Sequence, residues 1–333
     1  MSSGNLERVR TVMFGRRVCL CIVVALMLTS CDQAADLELV DPDCSQEASS
    51  ALIYTGPAPS AGIRHYNLFA ADHGLDLRRL TDEGASYDPS FSQDGTRLAY
   101  VSGRDGGWEE CCGFDTESIY VMQADGSEQK RITMGPDDGE PAWSPAGERI
   151  AFVRGNPDNP NIWVMDADGS DQSKLTATET RIRQRSPAWS PDGAQIVFIR
   201  ERFGDGRSEL WIMDGDGANA RRLTGVEQGV RNPDRVDWSP DGFALAVDYY
   251  RGDGQPQVGI LELDDLDFRR LAVGVRRVAW TPDGEHVTYV RYRGEYSELK
   301  VSTVAGEGSE SFPPSNLLRR SDEAFSYEWA VCD

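Results

Sequence analysis

The sequence predicts an all-β fold: a six-bladed β-propeller closed by pairing of its N- and C-terminal segments within one blade. Three observations predict it. A strand–turn–strand unit recurs around Phe91, Trp143, Trp189, Trp238, Trp280 and Trp329, at spacings of 52, 46, 49, 42 and 49 residues. Repeats of about 40–50 residues with β-type alternation mark propeller blades. Residues 51–81 hold three strand-like segments but no anchor strand, whereas the closing FSYEWAVCD holds an anchor strand with nothing after it. Joined, they make one whole blade. Composition agrees, since 33 Gly and 17 Pro in 333 residues, at 39% hydrophobic, suit a turn-rich globular β protein and not a helical bundle.

Each unit has four segments. The first ends in the anchor and a tight turn, as in Trp189-Ser190-Pro191-Asp192-Gly193, where Pro presets φ and Gly accepts a positive φ. An alternating strand follows, such as Arg149–Val153. The third, Asn161–Met165, runs into Asp166-Ala167-Asp168-Gly169, a hairpin signal, and the fourth is a short outer strand, Ser173–Thr176. The order recurs with Leu210–Met213 and Arg222–Thr224, and with Ile119–Met122 and Arg131–Thr133. Copies differ: Gln93 replaces Pro, Ala146 replaces Asp, and the unit beginning near Arg276 has a poor outer strand around Phe312–Leu318.

The set WSPDG, IAF, IWVMDADGS and RLT resembles the TolB-like β-propeller repeat over about residues 51–332, nearly the whole chain beyond its leader. The TolB family carries an α/β domain before its propeller, and only residues 31–50 stand in that place here. The resemblance therefore implies the propeller alone, without the family's whole envelope role.

Residues 1–30 read as a lipoprotein signal peptide. Four arginines precede the apolar run Val18–Leu28, too short for the roughly 20 residues of a membrane-spanning helix. It ends in Leu28-Thr29-Ser30-Cys31, which resembles a bacterial lipobox and implies lipidation of Cys31. Residues 31–50 are then a lipidated linker and residues 51–333 the propeller, held at a membrane through its lipid only. The expected location is the bacterial cell envelope, facing the periplasm. Asp32 resembles an inner-membrane retention signal, but that rule varies among bacteria and leaves the choice of membrane open.

Net charge is −21, and removal of the basic leader makes the rest more acidic. Such a surface repels phosphate backbones, and no basic stripe offsets it, so nucleic acid is excluded as a partner. Only three histidines are present, His65, His73 and His286, with no recognisable ligand spacing. There is no G-x-S-x-G elbow for a hydrolase. Asp166–Asp171 looks like half a calcium loop, yet other units have the same turn and no completing glutamate follows, so hairpin geometry explains it. No cofactor or metal is expected.

Residues three before each anchor, Asp88, Glu140, Ser186, Arg235, Arg277 and Ser326, should lie near one mouth of the channel. A ring of mixed charge there either holds a small polar ligand or only pairs within itself as solvated charges; the second reading is preferred. Beyond the leader and Cys31 there remain Cys44, Cys111, Cys112 and Cys332. Cys332 follows the closing strand and Cys44 precedes its partner, so a Cys44–Cys332 disulfide would lock the ring. Cys111 and Cys112 form an adjacent bridge or stay as thiols.

The WSPDG and ADGS turns share one face of the propeller and are uniform. The loops of the opposite face vary, and the longest, Gly103–Glu117, carries Trp108, Glu109, Glu110, Phe114 and Asp115. Aromatics beside acids on a long loop suit partner recognition. The expected function is a monomeric, non-catalytic scaffold binding an envelope protein, peptide or glycan. The alternative is a carbohydrate- or peptide-processing enzyme using channel-mouth carboxylates.

Overall fold

The fold is an all-β propeller, seen in a computed structural model that describes residues 52–57, 66–71, 77–82, 85–105, 117–135, 137–156, 158–177, 181–202, 207–224, 230–250, 254–293, 296–306, 309–311, 318–319 and 327–329. Among these residues the strands form six antiparallel sheets. The first holds β1 (Leu52–Pro57), β2 (Tyr66–Ala71) and β3 (Leu77–Arg79). The second runs β4 (Ser86–Phe91), β5 (Arg97–Ser102), β6 (Ser118–Gln123), β7 (Lys130–Arg131). The third runs β8 (Asp138–Trp143), β9 (Arg149–Arg154), β10 (Asn161–Asp166), β11 (Ser173–Lys174). The fourth runs β12 (Ile182–Trp189), β13 (Gln195–Arg202), β14 (Arg207–Asp214), β15 (Arg221–Arg222). The fifth runs β16 (Pro233–Trp238), β17 (Ala244–Tyr250), β18 (Pro256–Glu262), β19 (Phe268–Val273).

The sixth sheet runs β20 (Val275–Trp280), β21 (His286–Arg293), β22 (Tyr296–Thr303), β23 (Ser309–Ser311), and β24 (Leu318–Arg319) also pairs with β22. The outer strand expected around Phe312–Leu318 is thus displaced, its ladder with β22 lying at Ser309–Ser311. The last strand, β25 (Tyr327–Trp329), pairs with β1 at Leu52↔Trp329, giving the first sheet the order β25-β1-β2-β3.

Two recurrent devices explain the repeat motif. In the tight turn a serine or threonine hydroxyl donates to the aspartate two residues on, as Ser190 does to Asp192 at 2.6 Å, and that carboxylate accepts the N–H of Ala194 at 2.9 Å. Gly193, at φ 70°, supplies the left-handed residue the turn needs. At the unit's other end the outer strands are only two or three residues long, and a buried threonine hydroxyl continues their ladder. Thr81, Thr133, Thr176 and Thr224 accept the N–H of Leu68, Ile119, Ile162 and Leu210 at 2.9, 2.9, 3.0 and 3.2 Å. The hairpin turn reads the same way: Asp168 accepts from Ser170 N–H at 2.9 Å and from its hydroxyl at 2.6 Å.

The core lies between sheets rather than within one. Ile162 and Val164 of one sheet pack with Trp189, Ile196, Phe198 and Met213 of the next. Each sheet alternates side chains between two faces and buries both against neighbours, which is why the middle strands read as nearly continuous apolar runs.

Candidate functional site

The inner strands surround a cavity of about 750 Å³ lined by residues of β4, β8, β12, β16 and β20. Four of its lining residues, Asp88, Glu140, Ser186 and Arg277, have φ of 48°, 50°, 52° and 62°. Each sits at a β-bulge where the inner strand slips register against its neighbour. The bulge turns one polar side chain out of the pleat and toward the axis. In the fifth sheet the bulge falls earlier, between Pro233 and Arg235. Asp88, Glu140, Ser186, Arg235 and Arg277 therefore share one cavity wall; Ser326 lies outside the described residues.

These groups are largely occupied. Asp88 approaches Arg235 at 3.9 Å, joining the second sheet to the fifth. Glu140 accepts the backbone N–H of Ser186, and burial, aided by the charge of Asp88, raises its pKa. Arg185 forms an ion pair with Asp234 at 3.1 Å and donates to the carbonyls of Asp234 and Pro233 at 2.6 and 3.1 Å. The ring is thus partly internal bonding between sheets, not a set of solvated pairs.

Four further lining residues escaped the sequence reading. Asp248 on β17 accepts N–H groups of Arg277 at 2.5 Å and Val278 at 2.9 Å, and burial pushes its carboxyl up to about 6. Asp237 accepts the Trp280 N–H at 2.7 Å and is likewise pushed to about 6 by burial. Glu117 is raised by burial and bonded by the Tyr87 hydroxyl, and Arg185 forks as described. One signal was available: Asp248 interrupts an otherwise apolar strand, ALAVDYY, where a charge must have a buried partner.

Trp108, Glu109, Glu110, Phe114 and Asp115 lie outside the described residues, as do Cys31, Cys44, Cys332, His65 and His73. His286 does not stand alone. The turn brings Asp283, Glu285 and His286 within 4.8 Å of one another, but Asp283 already accepts the Thr281 hydroxyl and the Glu285 N–H. Among the described residues no helix is long and apolar enough to cross a membrane.

No family model matches the chain. An uncharacterized Bacillus subtilis peptidase, YuxL, is 38% identical over 69 residues, which are 20% of this chain and 9% of that protein. TolB from Acinetobacter baumannii superposes with a TM-score of 0.69 at 20% identity, over 85% of this chain and 67% of that one. A chain of a nidogen/laminin complex superposes at 0.61 and 13% identity, over 85% of this chain and 98% of that one. The inter-sheet packing, the repeat turns and these superpositions together identify the fold as a TolB-like β-propeller.

Proposed function

We propose that this chain is a non-catalytic binding scaffold of the bacterial cell envelope, tethered by lipid at Cys31 and acting as a monomer. Its propeller closes as a six-bladed ring whose last blade is shared by both chain ends; the β1–β25 ladder supports that reading. One observation carries the functional part. The carboxylates lining the channel spend their lone pairs on backbone N–H groups of the neighbouring sheet, as Asp248 and Asp237 do. A carboxylate held this way clamps blades together and is poorly placed to shuttle protons to a substrate. Recognition then falls to the loop faces, as in a rigid scaffold presenting variable loops. The partner is an envelope protein, peptide or glycan, met by the 103–117 loop with Trp108 and Phe114 as apolar anchors.

The test is a crosslinking pull-down from intact cells with the lipidated protein as bait. Replacing residues 106–116 by a short turn spares Glu117, which lines the channel. Capture should be lost while the thermal transition stays in place. Capture that survives this replacement but disappears when the Asp166–Ser170 turn is altered places the binding face at the opposite end.

A further inference from the structure

Two adjacent sheets treat the same arginine differently. In the third sheet Arg154, at the end of β9, is gripped by the fully buried Asp138, with Nε–Oδ1 at 2.5 Å and Nη2–Oδ2 at 2.8 Å. That is a bidentate fork, the geometry in which guanidinium recognises a carboxylate. Arg154 also lies over the ring of Trp163 at 5.1 Å. In the fourth sheet the corresponding residues are Arg200 and Trp211, 4.5 Å apart, but the place of Asp138 is taken by Gln184. Gln184 is 4% exposed and its Oε1 has no hydrogen-bond partner. Among the described residues no ion pair reaches Arg200.

The fourth sheet also extends one row further than the third. There Arg202 stands directly opposite Arg207, both exposed and on the sheet face that carries Arg200. Arg181 is exposed at the same end. Like charges placed opposite each other across a ladder are destabilising. The carboxylate on this face, Glu209, is already engaged by Arg222 at 3.3 Å and by the Trp211 indole N–H at 3.3 Å. In a chain with a net charge of −21, acids to neutralise such a cluster are plentiful elsewhere.

We propose that this end of the fourth sheet, with Arg200, Arg202 and Arg207, is a docking site for a carboxylated polysaccharide. The inference deepens the scaffold reading by naming a glycan as its ligand. The fork on Arg154 shows what Arg200 lacks, a carboxylate from outside the sheet. A linear polymer with one carboxylate per sugar answers several arginines set side by side, about 5 Å apart across strands and about 7 Å along one. The site is an open sheet end beside half-buried Trp211, whose indole face suits the apolar face of a sugar. A nucleic acid is opposed by the acidity of the remainder.

The experiment titrates the full folded protein with alginate oligomers at low and high salt, with neutral dextran and phosphatidylglycerol vesicles in parallel. Alginate should bind, more weakly at high salt, and dextran and vesicles should not. The R202Q/R207Q variant should bind at least tenfold more weakly. Gln184→Asp should do the same by giving Arg200 an internal carboxylate, and its unfolding midpoint should not fall, which separates lost binding from lost fold. Failure of alginate to bind at low salt overturns the proposal, as does unchanged affinity in both variants. Vesicle binding that needs the same arginines, without alginate binding, replaces it with a membrane-surface site. If alginate fails while the intact-cell pull-down still captures a partner, this inference alone falls; if the pull-down also yields nothing, the scaffold reading falls with it.

Discussion

Asp248 accepts the backbone N–H of Val278 at 2.9 Å, so a carboxylate on the second strand of one sheet holds the inner strand of the next. Its other oxygen takes Arg277, and the carboxylate is 3% exposed. Burial and these bonds oppose each other, and burial prevails, leaving Asp248 and Asp237 both at about 6.

This sets the pH dependence of stability. Between about pH 4 and 6 the native state holds protons that the unfolded carboxyls have released, so stability falls as pH rises through that window and levels off above it. Urea unfolding should give about 1–3 kcal/mol more stability at pH 5 than at pH 7.5. Asp248→Asn should shrink that difference. It should also lower stability at pH 7.5 by about 2 kcal/mol, because an amide NH₂ then faces a backbone donor.

The turn at Ala146 lacks the aspartate of its counterparts. Ser144 there accepts the Arg149 N–H at 3.0 Å, as in the other turns, but has no carboxylate to donate to at the next position but one. Ala146→Asp should restore that bond and the one to the Glu148 N–H, raising stability by about 1 kcal/mol in a denaturant titration.

The fork on Arg154 is buried on both sides, with side-chain exposures of 15% for Arg154 and 0% for Asp138. Asp138→Ala should cost about 3–5 kcal/mol by leaving an uncompensated charge. Adding Arg154→Met should recover part of it, and a double-mutant cycle measures how much.

Gly169 combines φ of 92° with a close approach to the next turn, where an added Cβ would stand 2.4 Å from the Ile132 carbonyl oxygen. Gly169→Ala should destabilise by about 3 kcal/mol, read as a lowered thermal midpoint with strand content retained. Gly103, with open space at its Cβ position, serves as the tolerant control.

The sheets were legible in the sequence because each turn repeats a local rule that needs no tertiary information: Pro, Asp and Gly at fixed offsets from an aromatic. The outer strands were legible as RLT but not their ends, because a threonine side chain replaces the last ladder bond. The bulges were not legible. Asp88, Glu140, Ser186 and Arg277 have no residue preference for left-handed backbone in common, so the strain is imposed by packing around the axis. The arginines of the fourth sheet escaped notice for another reason: they are separated along the chain and become neighbours only through the register of β13 and β14.

The ladder between β1 and β25 joins Leu52 to Trp329. During synthesis β1 emerges early and must wait for almost the entire polypeptide before its partner exists. Until then its open edge can pair with any other strand in reach, including one from a neighbouring nascent chain. The entropy of closing so long a loop grows only logarithmically, so the delay is one of order of events more than of cost. Truncation near Trp329 would remove little core yet leave that edge permanently uncovered, turning a small loss of mass into a tendency to aggregate.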